Sequence, residues 1–406
     1  MRIVYLCQHF PPETGAPQIR VYEVSKELLA QGHDIQVVTA FPHHPHGIIP
    51  DEYKGKKYEF EKWDDIPVHR TWIYPSKKGS FWKRLISYFS FTFSSFFGLM
   101  KTGKVDVIIV NSPPIFLGLT GLIGAKLKGA KFVFNVADVW PESAVKLGLV
   151  KNKMFIKLAE ILESFLYKHS WKIATATDGI KSYIINHSQP EEKVFVLPNG
   201  VNTKFFYPQE KNEEYVEKFG LQDKFVFAYG GNLGYAQGLE FILYAAKKMQ
   251  ETVPNAHFLI AGAGPEEEKL HKLKEELGLQ NTTFLGHLPL KEMPKLFSVT
   301  DVSIVPLRDI QLFEGARPSK IFPAAASGVP VLYCGKGESA KIITENNIGL
   351  VAQPENVDSM SEKMFEFVEM KVNDRKAMEE NGRRLAEDEY SWTTIVNDLL
   401  QNITQK

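Results

Sequence analysis

Short runs of Val, Ile and Phe alternate with amphipathic, helix-period stretches along nearly the whole chain, and that alternation constrains its fold most. Strands apolar on both faces must be covered on both, and a chain returning to a parallel neighbour does so through a helix. Arg2–Gln8 reads as the first strand, and a helix follows from about Pro17, with Val21, Val24 and Leu28 on one face and Gly32 as its stop signal. Further strands are predicted at Asp34–Ala40, Val105–Asn111, Lys131–Asp138, Lys172–Thr177 and Lys193–Pro198. The pattern then restarts with a strand at Phe225–Gly231, a helix at Leu239–Glu251 and a strand at His257–Ala261. Strands at Thr282–Leu285, Val302–Pro306, Val329–Tyr333 and Gly349–Ala352 complete it. The seam is the turn-rich LPNGVNTKFFYP, near Pro198–Pro208. We therefore expect an α/β protein of two Rossmann-like domains, 1–200 and 201–389, with an amphipathic C-terminal helix, 390–406, packing back on the first.

Composition fits this reading. Hydrophobic residues make up 44% of 406, enough for two cores. Acidic and basic side chains balance at 48 each, so no whole-molecule field argues for a nucleic-acid partner. Cys7 and Cys334 both stand in apolar, strand-like runs and read as buried free thiols in a reducing compartment. The apolar start, MRIVYLCQHF, is too short for a signal peptide, and no run reaches the roughly 18–20 apolar residues of a spanning helix. The expected location is cytoplasmic, at the membrane's cytoplasmic face where the chain touches it.

In open α/β sheets ligands lie beyond the carboxyl ends of the strands. After the first strand, PPETGAPQIR places Gly15 before a helix start, where free N–H groups face an anion, with Arg20 one turn further in; the alternative is a structural turn. DVWPES puts Asp138 at a strand end, either facing a cleft or capping a helix. In the second half, YGGNLGYAQG offers Gly231, Asn232 and Gln237 in a loop whose backbone can approach phosphate closely. AGAGPEEEKL repeats that junction. The richest segment is FEGARPSKIFPAAASGVPVLYCG: Glu314 precedes Arg317, Pro318, Ser319 and Lys320, with Pro318 suited to a first helical position. Ser319, Lys320 and Arg317 together suit a diphosphate, their charge offsetting that of the leaving group. No Asp-x-Asp cation clamp occurs, and FPHHPHG, with His43, His44 and His46, lacks helical metal spacing, so no metal is expected.

PPETGAPQIR, DVWPES, LPNGVNTKFF, GGNLGYAQGLE, IAGAGPEEEKL and PSKIFPAAASGVPVL, in that order, resemble the family-4 retaining glycosyltransferases of the GT-B fold over essentially the full chain. DxWP with PSK resembles the bacterial branch that builds O-antigen, capsule and other surface polysaccharides. The resemblance implies two parallel sheets facing each other across a cleft, and a sugar moved from a nucleotide-diphosphate donor, UDP-linked and N-acetylated sugars included. The acceptor would be a glycan or a lipid-linked saccharide. It implies retention without a metal or other cofactor, the leaving phosphate helping to deprotonate the acceptor hydroxyl. Gly15 would contact the diphosphate or donor sugar and Asp138 would orient hydroxyls at the reacting centre. Glu314, Ser319 and Lys320 would serve the donor. The family's basic pair after the second domain's first strand is replaced by Asn232 and Gln237, which shifts the diphosphate onto Ser319, Lys320 and Arg317. Of the family's two glutamates eight positions apart, the second place is Pro323 and the first Gly315, one off Glu314. An epimerase of the same fold and a non-catalytic nucleotide-sugar-binding subunit are the alternatives.

GSFWKRLISYFSFTFSSFFGLMK, residues 79–101, is rich in aromatics and flanked by Lys83, Arg84 and Lys101. It suits an interfacial helix on an anionic bilayer or, equally, a helix shared between core and surface.

Overall fold

The computed structural model describes the chain except residues 14, 45–46, 77–80, 143–144, 146–151, 188 and 405–406. The chain divides into two compact units, Met1–Asn199 with Ile395–Lys406, and Gly200–Thr394.

The first unit is built on strands β1 (Arg2–Leu6), β2 (Asp34–Ala40), β3 (Tyr58–Trp63), β4 (Ile66–Thr71), β5 (Val107–Ser112), β6 (Lys131–Val136), β7 (Lys172–Thr175) and β8 (Val194–Val196). They form one sheet in the order β3-β4-β2-β1-β5-β6-β7-β8. All its pairings are parallel except β3 with β4. Ile108, Val110, Phe132 and Phe134 are buried against Leu117, Leu122 and Leu166, so helices Leu117–Lys128 and Lys153–His169 cover one face. The C-terminal helix, Trp392–Thr404, belongs to this unit from Ile395 onward, where Gln31 donates to Asn397 at 3.0 Å.

The second unit has strands β9 (Phe225–Gly230), β10 (Ala256–Ala261), β11 (Thr282–Gly286), β12 (Val302–Pro306), β13 (Val331–Cys334) and β14 (Gly349–Ala352). They form a wholly parallel sheet in the order β11-β10-β9-β12-β13-β14. Alternate residues leave β9 toward opposite faces: Phe225, Phe227 and Tyr229 join one core and Val226 and Ala228 another. Strand order reverses between β1 and β5 in the first unit and between β9 and β12 in the second. The carboxyl ends at such a reversal diverge and leave a crevice for ligands.

The hairpin β3–β4 adds two strands to those expected from the sequence. Its two-residue turn is Asp64–Asp65, both at positive φ (45° and 66°), the left-handed geometry a tight hairpin needs but which Asp adopts less readily than Asn-Gly. Charged Glu59, Glu61 and Lys62 line β3, the unpaired edge of the sheet. Pro318 also falls outside its expected place, because the helix here begins only at Ile321 and the preceding residues form a turn. Both cysteines are free and buried.

Candidate functional site

At the reversal in the second unit, the loop after β9 folds back on the loop after β10. Gly231 donates its N–H to Ala261 and Leu233 to Ala263, at 2.9 and 3.0 Å. A side chain at Gly262 would meet the Gly231 carbonyl oxygen at 1.8 Å, so only glycine admits this contact. Gly231 is at φ 151°, and a Cβ there would stand 2.1 Å from Cε of Lys320. Lys320, 89 residues further along, thus occupies the space a side chain at 231 would fill. Here the missing Cβ makes room for a lysine.

The ammonium of Lys320 lies 5.6 Å from the centre of the Tyr229 ring. Burial lowers its pKa from the ordinary lysine value, and no carboxylate offsets that influence. Arg317 differs, because its guanidinium is paired with Glu338 and both side chains are largely buried. Two basic residues three positions apart, equivalent in sequence, therefore have different states: one charge is neutralised within the protein, the other is not. Ser319 is half-buried in the turn between them. Glu314, in the short helical turn Gln311–Gly315, is exposed, and its carbonyl oxygen packs where a side chain at Gly337 would stand. Asn232 is exposed, and its amide and that of Gln237 flank Gly234; Oε1 of Gln237 is buried without a hydrogen-bond partner. The structure thus gathers Gly231 and Lys320 at one point and Asn232 and Gln237 around Gly234.

Arg308, just beyond β12, was not singled out from sequence. Its guanidinium bonds Glu240, Glu355 at 2.6 Å and the Tyr235 carbonyl at 2.7 Å, and its carbon lies 4.2 Å from the Tyr235 ring centre. Burial alone would raise the Glu240 pKa, but the bond to Arg308, a backbone N–H and the charges of Arg308 and Lys269 together hold Glu240 below its ordinary value. Arg308 therefore fixes the glycine loop to the neighbouring loops and spends its charge doing so. Its partners lie 47 and 68 positions away, a separation no local pattern reports.

In the first unit Gly15 precedes helix Ala16–Ala30 at φ 151°, and Oε1 of Gln18, buried without a partner, lies 2.6 Å from where its Cβ would be. Arg20, one turn into that helix, is buried and donates to the Leu197 carbonyl and, at 3.2 Å, to Asn135. Asp138 is exposed just past β6, ahead of the turn at Trp140.

A second constellation there was also missed. Buried Glu13 accepts from His9 Nδ1 at 2.7 Å through one oxygen, and through the other from the backbone N–H of His43 and His44 at 2.7 and 2.8 Å. Burial alone would raise its pKa, yet the bond to His9, the charge of His9 and His43 and the His43 N–H together lower it to about 2. His9 and His43 stack at 5.3 Å. Ligand atoms of His9, Glu13 and His43 lie within 4.8 Å of one another, which is metal-binding spacing. Both carboxylate oxygens also accept from protein donors. The only signal was Glu four residues after His in QHFPPE, since the histidine loop lies some thirty residues on. His46 is outside the described residues.

Residues 15–200 match the family described as Glycosyl transferase 4-like domain, and residues 211–385 match Glycosyl transferases group 1. With the two parallel-sheet units, these matches define the chain as a glycosyltransferase of the GT-B type. It is 27% identical over 371 residues to a protein of Escherichia coli (strain K12) given the provisional description colanic acid biosynthesis glycosyl transferase, WcaI, covering 88% of this chain and 89% of that one. It is 25% identical over 277 residues to the probable glycosyltransferase WbjE of Pseudomonas aeruginosa, covering 67% and 68%. Among solved structures, Anabaena Alr3699/HepE in complex with UDP-glucose superposes with a TM-score of 0.73 at 14% identity, covering 100% of this chain and 99% of that one.

Proposed function

We propose that the chain transfers a sugar, with retention and without a metal, from a nucleotide-diphosphate donor to a glycan or lipid-linked acceptor of a cell-surface polysaccharide. The observation that carries this is Lys320, a half-buried cation with no carboxylate partner among the described residues, beside the glycine loop at the second unit's strand reversal. Burying a charge without a partner is costly, and such a site gains most when an anion supplies the missing charge. Gly231 meets Lys320 and Ser319 precedes it in the chain, while Asn232 and Gln237 stand around Gly234 in the same glycine loop. With Arg317 paired to Glu338, Lys320 takes the main share of the diphosphate and Arg317 a supporting one. UDP is the first nucleotide to try, since HepE was solved with UDP-glucose. The polysaccharide setting is supported by the description of WcaI.

The acceptor side falls to the first unit, where Asp138 would orient hydroxyls at the reacting centre and Gly15 would reach the diphosphate or donor sugar. Helix Phe81–Met100 turns Trp82, Ile86, Phe89, Phe93 and Phe97 outward, which favours its interfacial reading. No described helix is long and apolar enough to cross a membrane. The test is incubation with UDP- and GDP-sugars and a lipid-linked acceptor, reading product anomer by NMR. A retained glycoside supports the proposal. An epimerised donor, an inverted product or binding without turnover each overturns it.

A further inference from the structure

Apart from its strand-end loops, the first unit carries an apolar groove of about 850 Å3. Its walls include Ile48, Tyr53, Trp72, Phe93 and Phe97, contributed by the segment before β3, the chain leaving β4 and helix Phe81–Met100. Lys54, Lys56, Lys57 and Lys101 also line it, and no carboxylate does. Lys54 is paired with Asp51 and Lys56 with Glu59, outside the groove. Among the described residues Lys57 and Lys101 have no ion pair; the Lys101 ammonium rests 4.6 Å from the Tyr58 ring centre. Phe93 and Phe97 are 71% and 55% exposed, and Trp82, Ile86 and Phe89 extend the same outward stripe at helical spacing.

Two features of this surface have to be met together: a concave apolar volume in the range of small-molecule sites, and unneutralised positive charge at its wall. A flat bilayer surface covers the helix stripe but does not enter a groove. An acidic peptide satisfies the lysines and leaves Trp72, Phe93 and Phe97 in contact with charge. An amphiphile with one apolar chain and one anionic head meets both, each part where it is complementary. We infer that this groove holds the chain of a phosphate-headed lipid against Trp72, Phe93 and Phe97, with Lys57 and Lys101 on the phosphate. The inference rests on the lipid-linked acceptor named above and gives that acceptor a seat. It concerns binding alone, so it can fail while donor transfer stands.

The test uses the full chain and dodecyl phosphate brominated in its chain, kept below its micellar concentration, because bromine quenches a tryptophan it touches. The chain has 6 tryptophans, of which Trp72 lines the groove. Saturable quenching is expected, mostly lost in Trp72→Phe and weakening as salt is raised. The pair Lys57→Glu with Lys101→Glu should weaken binding at least tenfold, and Phe97→Glu should do so too, with UDP affinity unchanged in both. If either variant folds poorly, Lys57→Gln with Lys101→Gln, at exposed positions, carries the charge test. Equal binding of dodecyltrimethylammonium would overturn the inference, as would full quenching in Trp72→Phe. So would self-association through this face that Phe97→Glu abolishes while leaving dodecyl phosphate binding intact.

Discussion

Replacing Lys320 with Met should separate a binding charge from a structural one, because the two roles give effects of opposite sign. Met keeps the length and apolar contacts of the side chain at Gly231 and removes the ammonium. Burial lowers the folded-state pKa of Lys320, so the unfolded chain holds that proton more tightly. The charge therefore costs stability below the unfolded lysine pKa, and the cost fades as pH rises through the folded value. At neutral pH the free Met variant should melt at or above the wild-type midpoint. Donor binding should move the other way: losing one charge-assisted contact to phosphate is worth about 1.5–3 kcal/mol, or roughly 10- to 150-fold in Kd. With UDP at about 100 times the wild-type Kd, bound ligand adds about 2.7 kcal/mol to stability; a site weakened ~30-fold adds only about 0.9 kcal/mol. At about 2–4 °C per kcal/mol, the UDP-induced rise in Tm should shrink from roughly 5–11 °C to roughly 2–4 °C. Calorimetric titration and thermal melts with and without UDP read both effects. A variant that melts lower and binds UDP as tightly as wild type would refute the argument and make Lys320 a structural residue.

Three further outcomes are expected. Asp138→Asn should melt close to wild type and lose at least about a hundredfold in turnover, about 2.7 kcal/mol of transition-state stabilisation, whereas a fully active variant would take Asp138 out of the reaction. Transfer should persist in excess EDTA, and activity abolished by chelation and restored by magnesium or manganese would contradict the metal-free reading. Glu13→Gln should destabilise the first unit by about 3 kcal/mol at neutral pH, as a fall in pKa from 4.5 to about 2 implies. Because that pKa is depressed, the stabilisation is complete above the unfolded value and is lost as pH falls toward about 2. Urea titrations at pH 7 and pH 3 should therefore show wild type and variant converging at the lower pH, and an equal gap at both would remove the charge from the explanation.

The parallel strands were legible because burial on both faces writes itself along the chain as an unbroken apolar run: Val302–Pro306 and Gly349–Ala352 have the bounds the sequence gives them. The hairpin β3–β4 was not, since an edge strand carrying Glu59, Glu61 and Lys62 shows no such run and Asp64–Asp65 is a weak turn signal. The sequence also determined which loops carry glycines and cations beyond the strand ends. It left Arg317 and Lys320 equivalent, and only the tertiary structure paired one with Glu338 and set the other, unpaired, over Gly231. Likewise Arg20 was placed in the core and Glu13 brought to His43. The physical reason is range: burial periodicity is set by neighbours a few residues apart. The state of a charge is set by whichever groups the sheet order brings beside it, from loops tens of residues away.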